Sequence, residues 1–385
     1  MPKLSPLSYG VAAVLLCYGL VLFLFGPCLT AMADTFGVPL GHMGLLFTVF
    51  SLGLIPSVLL AGYLSESIGK HRILLASLLL MAVSAALFGA VPSVGAQPSF
   101  LLALLVIALM GVAGGGVEAL TNALIADDNQ PAPAFALNFA HAFFAVGAVL
   151  GPAAAGLLLN AQLPWQYAFF GASGLFAAMF LVLLFQQAPA LSPTDFNPAA
   201  ALVLLRSGVL WALLLVLGVY VGAEVGLTAW VSPLMEEVLH SARGTAALSL
   251  SVFWVFMIVG RLATSVVATR LRAAPLVLAL SIGSAAAALA VARAPTAILC
   301  LASSAAVGLF MSGIFGLVMT DAARRFPRHT GPVFGLLVAG VGIGALVVPA
   351  LMGWVATISD LRAAMLIPSG LMAAVAGAYV LLWRQ

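Results

Sequence analysis

Apolar blocks and short polar breaks alternate along the whole chain. The blocks fall near 9–33, 43–64, 73–91, 99–126, 135–159, 166–186, 207–232, 245–268, 275–292, 296–320, 331–356 and 364–383. A helix needs ~20 apolar residues to cross a bilayer, and open strands cannot satisfy their backbone groups in lipid. The pattern therefore predicts an all-α membrane protein with twelve transmembrane helices. The longest polar break, 187–206, carries Pro189, Pro193, Pro198 and Asp195. It divides the spans six and six. The expected organisation is an N-terminal six-helix bundle over 1–186, a linker over 187–206 and a C-terminal six-helix bundle over 207–385.

Composition excludes the soluble alternative. Hydrophobic residues make up 64% of the 385 positions and charged residues 6%, with a mean hydropathy of +1.22. Soluble domains carry roughly 25% charged residues. The net charge of +3 gives no reason to expect a nucleic-acid partner. Cys17, Cys28 and Cys300 all lie in apolar stretches without disulfide or zinc spacing, so they are expected to be buried apolar residues. Lys3 precedes an apolar run that lacks a small-residue cleavage site. That run reads as the first span rather than a signal peptide.

Placement of charge is more informative than its sum. With twelve spans and both termini inside, one side collects Lys3, Lys70, Arg72, Arg206, Arg261, Arg270, Arg272, Arg324, Arg325, Arg328 and Arg384. The other side keeps Arg243, Arg293 and Arg362. The positive-inside rule then puts both termini in the cytoplasm. The halves also look duplicated. Gly62 matches Gly260 at an offset of 198, Pro152 matches Pro349 at 197 and Asp127 matches Asp321 at 194. Parallel repeats place a solute site near the midplane between the halves.

One stretch breaks the apolar rule. Span 4 reads from Ser99 to Asp127 and holds Glu118, with Asn122 one turn later on the same face. A carboxylate in hydrocarbon costs roughly 2.5–3.5 kcal/mol on insertion scales and is a functional candidate by default. No Lys or Arg lies mid-membrane in the sequence, and Arg261 sits near the end of span 8. Low dielectric without a cation disfavours the charged form of a carboxyl group, which suits a group that binds and releases protons. Glu224 in span 7, read as lying two-thirds of the way through it, is the second such candidate. Asn122 and Asn138 can donate and accept toward hydroxyl-rich solutes. His141 can accept a hydroxyl bond or titrate.

Sugar rings bind on aromatic faces, and Tyr18, Phe25, Tyr220, Trp230, Phe253, Trp254 and Phe310 lie along the expected path. Tyr18, Tyr220 and Trp254 are the preferred solute contacts among them. Gly114-Gly115-Gly116 thins span 4 so that neighbours can approach closely. Span 11, Gly-rich from Gly335 to Gly344, reads as a packing element and not a nucleotide fingerprint. Asp127, Asp128 and Asp321 sit at helix ends, where pairing with Arg324 or basic loops is expected.

These features resemble the major facilitator superfamily. The segment Gly62 to Arg72 is similar to that family's loop between spans 2 and 3, with Glu66 where Asp is usual and Gly69, Lys70 and Arg72 in place. The resemblance implies a latch between the halves, so Gly62, Glu66, Gly69, Lys70, Arg72 and Arg261 form an expected cytoplasmic gate. Gly116 to Asn122, Leu137 to Phe143 and Tyr220 to Gly226 look like the fucose:proton symporter branch. That likeness implies a proton-coupling or solute-contacting function for Glu118. His141 stands where the branch often has Gln and Phe144 where it has Asn, and span 1 carries no charge between Tyr9 and Ala33.

The sequence shows no ATP-binding loop, metal cluster or nucleophile set. No cofactor and no enzymatic activity are therefore expected, and transport should run on a gradient. The leading expectation is a monomeric inner-membrane importer of a sugar or other small polar solute with protons. A proton-driven exporter stays open, because Gly147 to Pro152 with Gly156 resembles the span-5 antiporter signature. A membrane sensor or scaffold without flux is the third reading.

Overall fold

The computed structural model describes residues 4–94, 99–129, 134–186, 206–268, 270–326 and 330–383. Within these ranges some side chains, among them those of Glu66 and Asn138, lie outside the described set. In chain order the helices are α1 (Pro6–Leu22), α2 (Phe25–Phe36), α3 (Gly44–Ile68), α4 (Lys70–Ala90), α5 (Phe100–Asp128), α6 (Ala134–Asn160), α7 (Gln166–Leu184), α8 (Gly208–Glu237), α9 (Arg243–Val267), α10 (Ala273–Arg293), α11 (Ala297–Met311), α12 (Ile314–Arg325), α13 (Thr330–Ile358), α14 (Leu361–Ala364) and α15 (Leu366–Trp383). Among the described residues, eleven helical stretches are long and apolar enough to cross a bilayer. The bent pair α1 and α2, which meet at 44°, makes the twelfth. Every apolar block of the sequence coincides with one of these spans. Span 7 runs five residues beyond its predicted end at 232, to Glu237.

Side chains close the helix starts. Ser5 accepts from the Ser8 amide at α1, Ser99 from Leu102 at α5, Ser207 from Leu210 at α8 and Thr296 from Leu299 at α11. Each satisfies an amide that has no partner within its own helix.

The chain divides into two compact units, Met1–Val38 with Val49–Thr194, and Pro39–Thr48 with Asp195–Gln385. Most of the expected linker, 187–205, lies outside the described residues. Within the second unit the segment Pro39–Thr48 rests on α13. A side chain at Gly41 would meet the Gly353 carbonyl, one at Gly44 would meet that of Pro349, and Thr48 Oγ1 donates to the Leu346 carbonyl at 2.9 Å.

Both units use the same internal packing. In the first, a side chain at Gly111 would strike the Phe50 carbonyl and one at Gly147 the Leu16 carbonyl. In the second, Gly308 stands against the Phe253 carbonyl and Gly344 against that of Gly218. Gly111 to Gly308 and Gly147 to Gly344 are each 197 positions apart, whereas Phe50 to Phe253 is 203 and Leu16 to Gly218 is 202. The repeat is therefore real, with a shift of register between the second and fourth helices of each unit. That shift corrects one match made from the sequence. At an offset of 203, Gly260 is the counterpart of Ser57, not Gly62. The contacts agree: Ser57 Oγ donates to the Val112 carbonyl, and Gly260 stands against the Leu309 carbonyl, 197 positions on from Val112.

Gly69 joins α3 to α4 with φ +102°, in the region that side chains with a Cβ rarely adopt. Its neighbourhood is open, since a methyl group added there would have nothing within 4 Å. The strain of a substitution is therefore purely a backbone matter. Gly69→Ala is expected to cost on the order of 1–2 kcal/mol. A lowered melting temperature of the purified protein, with unchanged helical content, would show it.

Candidate functional site

Glu118 is the nineteenth residue of the 29 in α5 and is half-buried. The Tyr18 hydroxyl, on α1, lies 3.5 Å from its Oε2. Tyr18 is only 2% exposed. Among the described residues no Lys or Arg pairs with Glu118 within 4 Å.

The three glycines before it each clear space for a different helix. A methyl at Gly114 would sit 3.0 Å from the Tyr18 hydroxyl, one at Gly115 would strike Ser57 and the Leu54 carbonyl on α3, and one at Gly116 would strike Ser77 Oγ on α4. At Gly115 the neighbour is backbone, so close approach there needs glycine, whereas at Gly114 and Gly116 the neighbours are side chains. Gly114 in particular leaves room for Tyr18 to reach the carboxyl group.

Asn122 follows one turn later, and its Nδ2 donates to the Glu118 backbone carbonyl at 2.8 Å. Its Oδ1 lies 2.9 Å from His141 Nε2, on α6. His141 is exposed. The first unit therefore gathers Tyr18, Glu118, Asn122 and His141 into one contiguous polar group from α1, α5 and α6. Asn138 lies on α6, three residues before His141, with its side chain outside the described set.

The second unit does not repeat this group. At the offsets above, Tyr18 corresponds to Tyr220, but Glu118 corresponds to Phe315 and Asn122 to Met319. The second unit instead carries Glu224 one turn after Tyr220 on α8. Glu224 is the seventeenth of the 30 residues of α8, close to its middle and not two-thirds along as the shorter predicted span suggested. Arg261 on α9 lies within electrostatic reach of both Glu224 and Tyr220. Among the described residues Glu224 and Arg261 form no ion pair within 4 Å. Tyr220 is 1% exposed and Trp254 2%. Trp254 packs edge-on against Phe253, with ring centroids 5.5 Å apart.

The other aromatic candidates belong to packing. Phe25 packs tilted against Phe88 and edge-on against Phe169 in the first unit, Trp230 donates to the Pro349 carbonyl at 3.0 Å, and Phe310 fills the space beside Gly283.

Of the expected gate residues, Lys70 bonds Asp127 at 2.6 Å inside the first unit, tying the start of α4 to the end of α5. Gly62, Arg72 and Arg261 are exposed, and Gly69 provides the turn. Asp128 accepts from Ser5 Oγ and from Ser8 Oγ, the latter at 2.6 Å, while Asn129 Nδ2 donates to Ser8 Oγ at 2.8 Å. Sequence reasoning missed this tie between the ends of α1 and α5; the serine at a helix cap and the terminal Asp-Asn pair were its only signal. Asp321 pairs with Arg325 at 3.2 Å and accepts from Tyr379 at 3.0 Å. Arg325, one turn on, takes the place expected for Arg324.

Among the described residues, eleven helices and one bent pair of membrane-crossing length, in duplicated units, define a polytopic membrane protein, and its first unit holds Glu118 with polar neighbours. The chain matches the Major Facilitator Superfamily over residues 11–329 and again over 231–385, and it belongs to that family. It is a multi-pass membrane transporter of the bacterial type. It is 27% identical over 264 residues to the uncharacterized transporter y4wD of Sinorhizobium fredii, covering 68% of this chain and 67% of that one. It is 24% identical over 376 residues to TsgA of Shigella flexneri, covering 97% and 92%. It covers 60% of a TsgA homologue of Yersinia enterocolitica at 22% identity.

The fold is shared with a bacterial homologue of the human lysosomal transporter Spinster, at a TM-score of 0.82 and 16% identity over 100% of this chain and 98% of that one. A D-xylose-proton symporter superposes at 0.81 with 15% identity over 97% and 96%. The fucose:proton symporter of E. coli superposes at 0.66 with 18% identity over 97% and 98%.

Proposed function

We propose that the chain is a proton-coupled importer of a sugar or another small polar solute, working by alternating access. It sits in the inner membrane with both termini in the cytoplasm. The observation that carries this reading is Glu118, held inside the first unit beside Tyr18 with no basic partner among the described residues. Such a carboxyl group can exist neutral when shielded and ionised when water reaches it. Beside it, Asn122 and His141 offer the hydrogen-bonding groups that hydroxyl-rich solutes need. Two proteins of the same fold are named as proton symporters, of D-xylose and of fucose, which supports both the coupling ion and the solute class. Glu224, with Arg261 near it, is a second coupling candidate. Tyr220 and Trp254 are proposed to line the solute path.

The glycines of the antiporter-like stretch have a packing explanation. A side chain at Gly147 would strike the Leu16 carbonyl and one at Gly151 the Leu20 carbonyl, so that stretch does not by itself favour export.

Purified protein in proteoliposomes separates the readings. A thermal-shift screen of sugars, acids and amphipathic drugs first selects the solute. With the chain oriented as in the cell, an inward proton gradient is expected to drive that solute in, to roughly tenfold accumulation per unit of pH gradient for one proton per solute. Outward movement under the same gradient would establish the exporter. Absence of counterflow with every solute that binds would leave a protein without flux.

A further inference from the structure

Polar residues recur on α8 at every fourth position from its middle to the end that the proposed orientation puts outside: Tyr220, Glu224, Thr228, Ser232 and Glu236. Residues four apart share a helix face, so these five form one line along a membrane-spanning helix. Glycine takes the opposite side. Gly218, Gly222 and Gly226 lie two positions out of step, about 200° around the axis. Side chains there would meet the Gly340 and Gly344 carbonyls and the Met352 side chain of α13. The polar line is nonetheless buried: Thr228 is 3% exposed and Ser232 0%. Ser232 Oγ has no hydrogen-bond partner among the described residues. A buried hydroxyl left unbonded is costly, so packing alone does not account for it. Pro233 beside it also removes the amide that would bond the Ala229 carbonyl. At the outer end the Glu236 side chain, 6% exposed, meets Arg243 of α9 at 3.5 Å, and that arginine is 44% exposed. The first unit interrupts the line: at the offset of 202, Glu224 corresponds to Leu22 and Thr228 to Gly26.

We propose that this line is the route along which protons pass from the outer face to Glu224. The proposal rests on the proton-coupled reading and gives that reading's second coupling candidate a source of protons. Members one turn apart are about 6 Å apart along the axis, the span that one water covers with two hydrogen bonds of about 2.8 Å. Glu236 takes up a proton at the mouth. Each hydroxyl then accepts a proton on a lone pair, releases its own on the other side and turns about its C–O bond to reset. The carboxylate of Glu224 receives the last one. Thr228 Oγ1 donates to the Glu224 backbone carbonyl at 2.9 Å, so its hydrogen lies on the Glu224 side. The charged groups that face the line come from α9, Arg243 at the mouth and Arg261 within electrostatic reach of Glu224. Of the other helices packed on α8, α13 carries no titratable residue. Tyr379 of α15 bonds Asp321 of α12, and Arg362 of α14 bonds the Ala292 and Ala294 carbonyls.

The test is time-resolved infrared spectroscopy of the full chain in proteoliposomes, inserted with the outer face outward. A Glu224→Gln variant identifies the carboxylic-acid band of Glu224, and growth of that band is followed after acid is added outside. Ser232→Val should slow the growth roughly a hundredfold, the lower end of what a positioned proton-transfer group contributes. Ser232→Thr has the outline of valine with the hydroxyl restored and should keep the wild-type rate. If Ser232→Val does not fold, Thr228→Val, which keeps the side-chain outline, decides in its place and should be slowed alike. The final size of the band at each pH should match the wild type throughout, because a route changes how fast a proton arrives and not where it rests. A changed final size would mark a structural effect and count against the route. Wild-type rates in the valine variants would overturn the proposal, and so would equal slowing by Ser232→Thr or the lack of any Glu224 band. These rates need no solute. Failure of proton-driven uptake would sink the transport reading and leave them standing, while unchanged rates would sink the route and leave uptake untouched.

Discussion

Glu118→Gln is expected to abolish uphill accumulation while solute counterflow continues. Glutamine has the shape of the protonated acid and can still meet the Tyr18 hydroxyl, now 3.5 Å from Oε2, but it can neither release nor bind a proton. The variant is frozen in the chemical state that would cross the membrane loaded. Exchange of solute for solute needs only that state. Net accumulation needs the proton to leave. The accumulation ratio should fall from about tenfold per unit of pH gradient to about one. Accumulation at the wild-type ratio would move the coupling away from Glu118, with Glu224 the next candidate.

Gly344→Val should cost the protein its fold. A Cβ at Gly344 would fall deep inside van der Waals contact of the Gly218 carbonyl oxygen. That neighbour is backbone, so relief requires α8 and α13 to move apart along a long shared face. Overpacking a tight core costs about 1–3 kcal/mol and sometimes more. A clash this deep against backbone belongs at or above the upper end of that range. The counterpart in the first unit, Gly147, would strike the Leu16 carbonyl in the same way and should behave alike. Gly370 has nothing within 4 Å and serves as the control. Fluorescence-detected size exclusion with a melting curve should show Gly344→Val aggregated or strongly destabilised and Gly370→Val near wild type. Equal behaviour of the two would mean that the α8–α13 contact does not support the fold.

Much of this architecture is legible in the sequence because lipid simplifies the problem. Each apolar block must be a helix, so the spans follow from hydropathy alone. Glu118 and Glu224 stand out against such a background, and the triple glycine before Glu118 announces close packing on several sides. The partners of those residues are less visible. Tyr18 is separated from Glu118 by 100 positions, and nothing in an apolar run says which aromatic turns inward to a carboxyl group. Phe25, Trp230 and Phe310 are equally plausible by composition, yet they are packing residues. Register is also hidden. A shift of about one turn separates Gly260 as partner of Ser57 from Gly260 as partner of Gly62, and only the backbone contacts at Val112 and Leu309 decide between them. The bond between Asn122 and His141 joins α5 to α6, and no periodicity within either helix foretells it.

In the proposed cycle one carboxyl group, that of Glu118, carries the proton that drives the solute. Lightly buffered proteoliposomes containing a pH-sensitive dye measure this directly when the solute selected by thermal shift is added outside. The wild type is expected to acidify the lumen in step with solute entry, and Glu118→Gln to move solute without acidification. Acidification of equal size in both would contradict it.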